Sequence, residues 1–183
     1  DQVVDIIEAI PDQQGNYHSR HKLEAFRSFP FITNRYRSYR AFSEATMQEI
    51  FSRYSDQVPY KEINTLEHTI FIQNEDGFTA APLPQEAQFS AGYHVGVADV
   101  NNDGHEDLLL SQNYFGTQSE TPRLDAGRGL LLTGDGTGNF RSLPGSTSGI
   151  TVYGQQRGAA FSDFNQDGAI DVAVSQNSNS TKL

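Results

Sequence analysis

Residues 99–113 and 163–177 are two copies of one pattern, and this internal repeat constrains the fold more tightly than any local propensity does. Asp99-Val-Asn-Asn-Asp-Gly-His-Glu-Asp107 runs into Leu108-Leu-Leu-Ser-Gln-Asn113. Asp163-Phe-Asn-Gln-Asp-Gly-Ala-Ile-Asp171 runs into Val172-Ala-Val-Ser-Gln-Asn177, at a constant offset of 64 residues. Upstream of each copy the same elements recur: an apolar run, an acidic glycine turn ending in phenylalanine (Asn74-Glu-Asp-Gly-Phe78; Gly134-Asp-Gly-Thr-Gly-Asn-Phe140), a variable stretch, then small and apolar residues. Each unit supplies about four short strands, the content of one β-propeller blade.

The texture of the chain changes near residue 64. Before it, Leu23 and Phe26, then Met47, Ile50, Phe51 and Tyr54, fall at helical spacings, with Pro30 between the two stretches and a capping-box pair at Thr46 and Glu49. After it, short apolar runs at 69–72, 95–98, 108–110, 130–132, 158–161 and 170–174 alternate with Gly, Asn and Asp clusters, as in an all-β array. The expected fold is mainly β: a partial β-propeller with a small N-terminal helical insertion. The expected divisions are 1–15 as the end of a preceding blade (Val3 to Ile10 as its closing strand), 16–63 as the helical inter-blade insertion, 64–125 as the blade with the first acidic loop, and 126–183 as a truncated blade with the second. Two blades cannot close a ring, so further chain or self-association is expected to cover the open edges.

The loop pattern places oxygen-bearing groups at positions 1, 3, 5 and 9 of nine residues. Calcium is a hard ion that takes six to eight oxygens, and this density of carboxylates and amides suits it. The predicted ligands are Asp99, Asn101, Asp103, Asp107 and the His105 carbonyl in the first loop. In the second they are Asp163, Asn165, Asp167, Asp171 and the Ala169 carbonyl. Gly104 and Gly168 sit where the chain must turn sharply, which positive φ allows. An EF-hand needs a glutamate at position 12 and flanking helices, whereas Leu110 and Val174 stand there inside apolar runs. The loops are therefore expected to close in hairpins. Asp, Asn and Gly are also ordinary turn formers, and it is the duplication at equivalent positions that favours a metal.

Composition excludes several classes. Thirteen basic against 23 acidic residues give a net charge of −10, which opposes binding to nucleic acid or anionic membranes. No cysteine is present, so disulfides and thiolate chemistry are excluded, and no apolar run approaches the ~20 residues that span a bilayer, so membrane insertion is not expected. Both ends read as cut from something longer. His18-x-x-His21 is half of a zinc pattern without a third ligand. The glycines from Gly134 to Gly138 lack the following helix that phosphate binding needs, and no Gly-x-Ser-x-Gly elbow occurs, so no catalytic activity is expected. Asn179-Ser-Thr181 fits a glycosylation acceptor. Tyr93, Tyr114, Phe115 and Tyr153 fall on variable loops, where aromatics either pack between blades or line a ligand surface.

The two Asp-x-Asn-x-Asp-Gly-x-x-Asp loops, each entering an apolar strand, and the Gly-Asp-Gly-x-Gly-x-Phe turn after Leu130-Leu-Leu resemble FG-GAP/VCBS repeats, the propeller blades of integrin α subunits and many bacterial secreted proteins. Leu83-Pro-Gln-Glu-Ala-Gln-Phe-Ser90, Asp125-Ala-Gly-Arg-Gly-Leu130 and the segment from Tyr39 to Phe51 before Asn64-Thr-Leu66 are similar to the ASPIC/UnbV-associated subgroup, relatives of cartilage acidic protein. The resemblance runs from about Tyr17 to the end. It implies an extracellular, periplasmic or outer-membrane location, two calcium ions on the loops, no catalytic residue, and a scaffold or adhesion role toward a protein or glycan ligand. The alternatives are a self-assembling extracellular fibre subunit and the non-catalytic scaffold of a carbohydrate-active enzyme.

Overall fold

The computed structural model describes residues 6–54, 59–117 and 121–183 and divides into two compact units, 1–63 and 64–183. In the first unit, β1 (Ala9–Pro11) and β2 (Tyr17–Ser19) form an antiparallel hairpin. Val3, Val4 and Asp5 of the expected closing strand lie outside the described residues. Three short helices follow a 3-10 turn at Leu23–Phe26: α1 (Pro30–Arg35), α2 (Tyr39–Glu44) and α3 (Met47–Ile50). Pro30 opens a helix where the sequence suggested only a break, because the first helical position needs no donated N–H. The Thr46/Glu49 capping box forms with both reciprocal bonds, and Ser38 caps α2 by accepting from Ala41 N. Phe26, Ile32, Tyr36, Phe42, Ala45 and Ile50 make the core.

The second unit is built of antiparallel hairpins. β3 (Thr69–Asn74) pairs with β4 (Gly77–Pro82) as a two-stranded sheet. β5 (Gly92–Ala98), β6 (Asp107–Gln112), β7 (Leu130–Gly134) and β8 (Phe140–Leu143) form a four-stranded sheet in sequential order. After a short helix, α4 (Gly145–Ser148), the strands β9 (Gln155–Ser162), β10 (Asp171–Asn177) and β11 (Asn179–Lys182) repeat the first three strands of that sheet. The chain is thus mainly β with few helices, and among the described residues the sheets do not close into a ring.

The hydrogen-bonded sheet is offset from the 64-residue sequence unit by two strands. β5 and β6 pair with the hairpin after them, not with β3 and β4, so the sheet straddles residue 125. Leucines on both faces of β6 and β7 account for this. Leu108, Leu110, Leu130 and Leu132 pack with Ala87 and Leu83 on one face. Leu109 and Leu131 pack with Val152, Val174 and Phe161 on the other. Each fully buried leucine contributes ~1.5 to 3 kcal/mol, so the two central strands stabilise each other most where both faces are covered. β6 is buried along its whole length.

β9 lies against the β5 side of this sheet. Gly96 leaves room for the Phe161 ring, which a Cβ there would strike, and Arg157 lies over the Tyr93 ring. Both contacts advance in the same direction along β5 and β9, so the two hairpins carry their acidic loops at the same end.

Candidate metal-binding loops

The loop 99–107 joins β5 to β6, and 163–171 joins β9 to β10. Their hydrogen-bond skeletons match atom for atom. Asp99 accepts Asp103 N on Oδ1 (3.1 Å) and Gly104 N on Oδ2 (2.9 Å); Asp163 accepts Asp167 N (3.0 Å) and Gly168 N (2.9 Å) in the same way. Asn101 and Asn165 each accept the position-5 N–H on Oδ1 and donate from Nδ2 to the position-5 carboxylate, at 2.8 and 2.9 Å for the donated bonds. Asp103 then accepts from His105 N, and Asp167 from Ala169 N. At position 9, Asp107 and Asp171 reach back to the N–H of Val100 and Phe164.

The backbone is equally matched. Gly104 and Gly168 have φ of 85° and 88°, as their place in the pattern requires. Asn102 and Gln166 also have positive φ, 59° and 62°, which sequence reasoning did not anticipate. Asparagine tolerates this region; glutamine does so at a cost.

The two copies differ in their surroundings. Asp107 is 1% exposed and its Oδ1 accepts Gly134 N from β7 at 2.9 Å, so the first loop is tied to the neighbouring strand. Asp171 is partly buried, and no equivalent bond is found among the described residues. The His105 ring lies over Gly136 of the β7–β8 turn, where a Cβ would collide with it. The carboxyl of Asp103 is held below its ordinary value of 3.8, first by the N–H of His105, then by the Asn101 amide and the nearby imidazole.

The donor set is that of a hard cation: carboxylate, amide and carbonyl oxygens with no sulfur or ring nitrogen at the ligand positions. Among the described residues, no three His, Asp or Glu side chains converge as a metal-holding group. The loop carboxylates are turned onto their own backbone N–H groups. An ionised carboxylate has about four lone-pair sites, so one or two N–H bonds leave acceptor capacity on each oxygen pair. The histidines of the zinc pattern are occupied otherwise. His18 faces the Ala45 carbonyl and the Asp12 carboxylate, and His21 Nε2 accepts Glu8 N.

Two features escaped the sequence. The Ser-Gln-Asn that ends each copy is visible in both, yet only the structure reveals Asn113 as a hub. Its Oδ1 accepts from Ser90 Oγ and Gly127 N, and its Nδ2 donates to the carbonyls of Gly127, Tyr153 and Gly154. Of the four aromatics expected on loops, Tyr93 lies in β5 instead and meets Tyr114 with ring centroids 5.8 Å apart, Phe115 stands beside Arg123, and Tyr153 is two-thirds exposed.

The chain is 36% identical over 107 residues to Integrin alpha-8 of Gallus gallus, a stretch covering 57% of this chain and 10% of that protein. The chain therefore spans about a tenth of the length of this relative. No protein-family model matches the chain, and no solved structure matches it. Among the described residues no helix is long and apolar enough to cross a membrane. The likeness to an integrin α subunit lends partial support to an FG-GAP-type repeat.

Proposed function

We propose that this chain is a non-catalytic, calcium-stabilised repeat module of an extracytoplasmic protein, built as part of an FG-GAP/VCBS-type propeller of the ASPIC/UnbV-associated subgroup, with its loops presented to a binding partner. The observation that carries this is the matched skeleton of the two acidic loops, 64 residues apart, down to the two positive-φ residues in each. Turn formation alone does not require three carboxylates at the same three positions twice. The likeness to Integrin alpha-8 supports a repeat with an interaction role outside the cytoplasm. Calcium would be held by Asp99, Asn101, Asp103, Asp107 and the His105 carbonyl, and by Asp163, Asn165, Asp167, Asp171 and the Ala169 carbonyl. Its charge would offset the clustered carboxylates and tie each hairpin shut.

Sites of the extracellular class bind at ~10⁻⁴ to 10⁻³ M, so the test is a thermal melt in millimolar calcium and again with chelator. Millimolar calcium is about one to ten times such a Kd and adds about 0.4 to 1.4 kcal/mol per site. The melting temperature is expected to rise with calcium and the rise to disappear in the Asp103→Ala/Asp167→Ala double variant. Superimposable melts in calcium and chelator would remove the basis for the assignment.

A second copy or further repeats covering the open edges is favoured by one observation. Val95 and Val97 on the edge strand β5 are each 55% exposed although they share a face with the buried leucines. Size-exclusion chromatography separates a self-associating chain from a monomer.

A further inference from the structure

The hairpin ends opposite the acidic loops have a different character. Residues 64–183 carry five basic against fourteen acidic residues, a net charge of −9, and two of those five cations, Arg123 and Arg157, stand together with aromatic rings at this end. Tyr93 is the second residue of β5 and Tyr114 comes two residues after β6, six and seven residues from the acidic loop, or about 20 Å.

Arg157 lies 3.8 Å over the Tyr93 ring and 5.9 Å from Tyr114. Its Nη1 donates to the carbonyls of Asn113 and Gln156, which orients the guanidinium. Among the described residues its remaining N–H groups have no acceptor and no carboxylate lies within 4 Å of it. Arg123, exposed, lies 5.3 Å over Phe115 and makes no hydrogen bond or ion pair among the described residues. Both residues of this second pair come from the 17-residue excursion 113–129 between β6 and β7, where the second copy has only Ser178 between β10 and β11. Phe115 N donates to Gln155 Oε1 at 2.6 Å, so the base of the excursion is fastened to β9.

We infer that this end, built by Arg123 and Arg157 on Phe115, Tyr93 and Tyr114, is a docking site for acidic side chains of a protein partner. The choice of protein over sugar rests on the stacking. The arginines already cover ring faces that a sugar would need, and they leave oriented guanidinium N–H, the donor that pairs bidentately with a carboxylate. Rings beneath them hold each fork in place and reduce the ordering cost of binding. The inference rests on the chain being a binding module and names the chemistry of its ligand.

The test is isothermal titration of the full chain, in calcium-containing buffer, with a blocked tetra-glutamate peptide, a tetra-glutamine peptide and a hyaluronan tetrasaccharide. The glutamate peptide is expected to bind, with affinity falling as salt rises, and the glutamine peptide not to bind. Arg123→Gln, which breaks no hydrogen bond or ion pair among the described residues, is expected to weaken binding about tenfold, and Arg157→Lys, which keeps the charge but loses the fork, by a similar factor. Equal affinity of Arg123→Gln and the parent, no peptide binding, or binding of the tetrasaccharide in its place overturns the inference. Melts of the same samples keep the two proposals apart. A calcium-dependent rise without peptide binding sinks this site alone, and peptide binding without the rise sinks only the calcium assignment.

Discussion

Asn113 and Asn177 occupy the same position of the repeat, yet one is fully buried with five side-chain hydrogen bonds and the other is exposed with none among the described residues. The difference comes from the surrounding chain: Gly127 and the Tyr153-Gly154 carbonyls close over Asn113. Asn113→Ala would leave those buried groups unpaired, at a cost of about 3 kcal/mol or more in urea unfolding, whereas Asn177→Ala should stay within about 0.5 kcal/mol of the parent. Asp135 gives a second contrast at this scale. Hydrogen bonds from the Thr137 hydroxyl and N–H and the Asn139 amide lower its carboxyl from 3.8 to about 2. Because the folded value is depressed, its contribution is complete above the unfolded value and is lost as pH falls through the folded one. Stability is expected to decline between about pH 4 and 2, and Asp135→Asn should flatten part of that slope. Asp12, also lowered to about 2, chiefly by the Asn16 side chain, supplies another part.

At the scale of elements, the runs at 69–72, 95–98, 108–110, 130–132, 158–161 and 170–174 were legible because β-branched and aliphatic residues between Gly, Asn and Asp clusters admit few other conformations. The hairpin form of the acidic loops was legible for a related reason: position 12 is aliphatic in both copies. Which hairpins pair was not legible, since strand composition carries a period and a face but no address. The joining of β5–β6 to β7–β8 depends on burial of leucines on both faces, a tertiary fact. The convergence of the carboxylates on an ion was argued from residue types, whereas the carboxylates themselves face backbone N–H groups. A contact between elements also escaped. A Cβ on Gly134 would strike the Glu106 carbonyl, where the first loop meets β7, while one on Gly158 would meet only Ser175 Oγ at 3.4 Å. Gly134→Ala should therefore destabilise by about 1 to 3 kcal/mol and Gly158→Ala should not, as chemical denaturation of the two variants would establish.

At the scale of the molecule, charge and core divide at the same place. Residues 1–63 carry a net charge of −1 and 64–183 carry −9, and each part has its own apolar cluster, aromatic in the first and leucine-rich in the second. Residues 59–66 between them contain no helix or strand and are exposed throughout, with Tyr60, Ile63 and Leu66 each at least 75% open. Lys61 stands in this stretch, so brief trypsin treatment should cut there before it cuts at arginines held within either unit. A core that belongs wholly to residues 64–183 does not depend on the peptide bond at 61. The 62–183 product is therefore expected to keep the β-type circular dichroism of the parent and a cooperative melt, and loss of both on cleavage would mean that the two cores are one cooperative system.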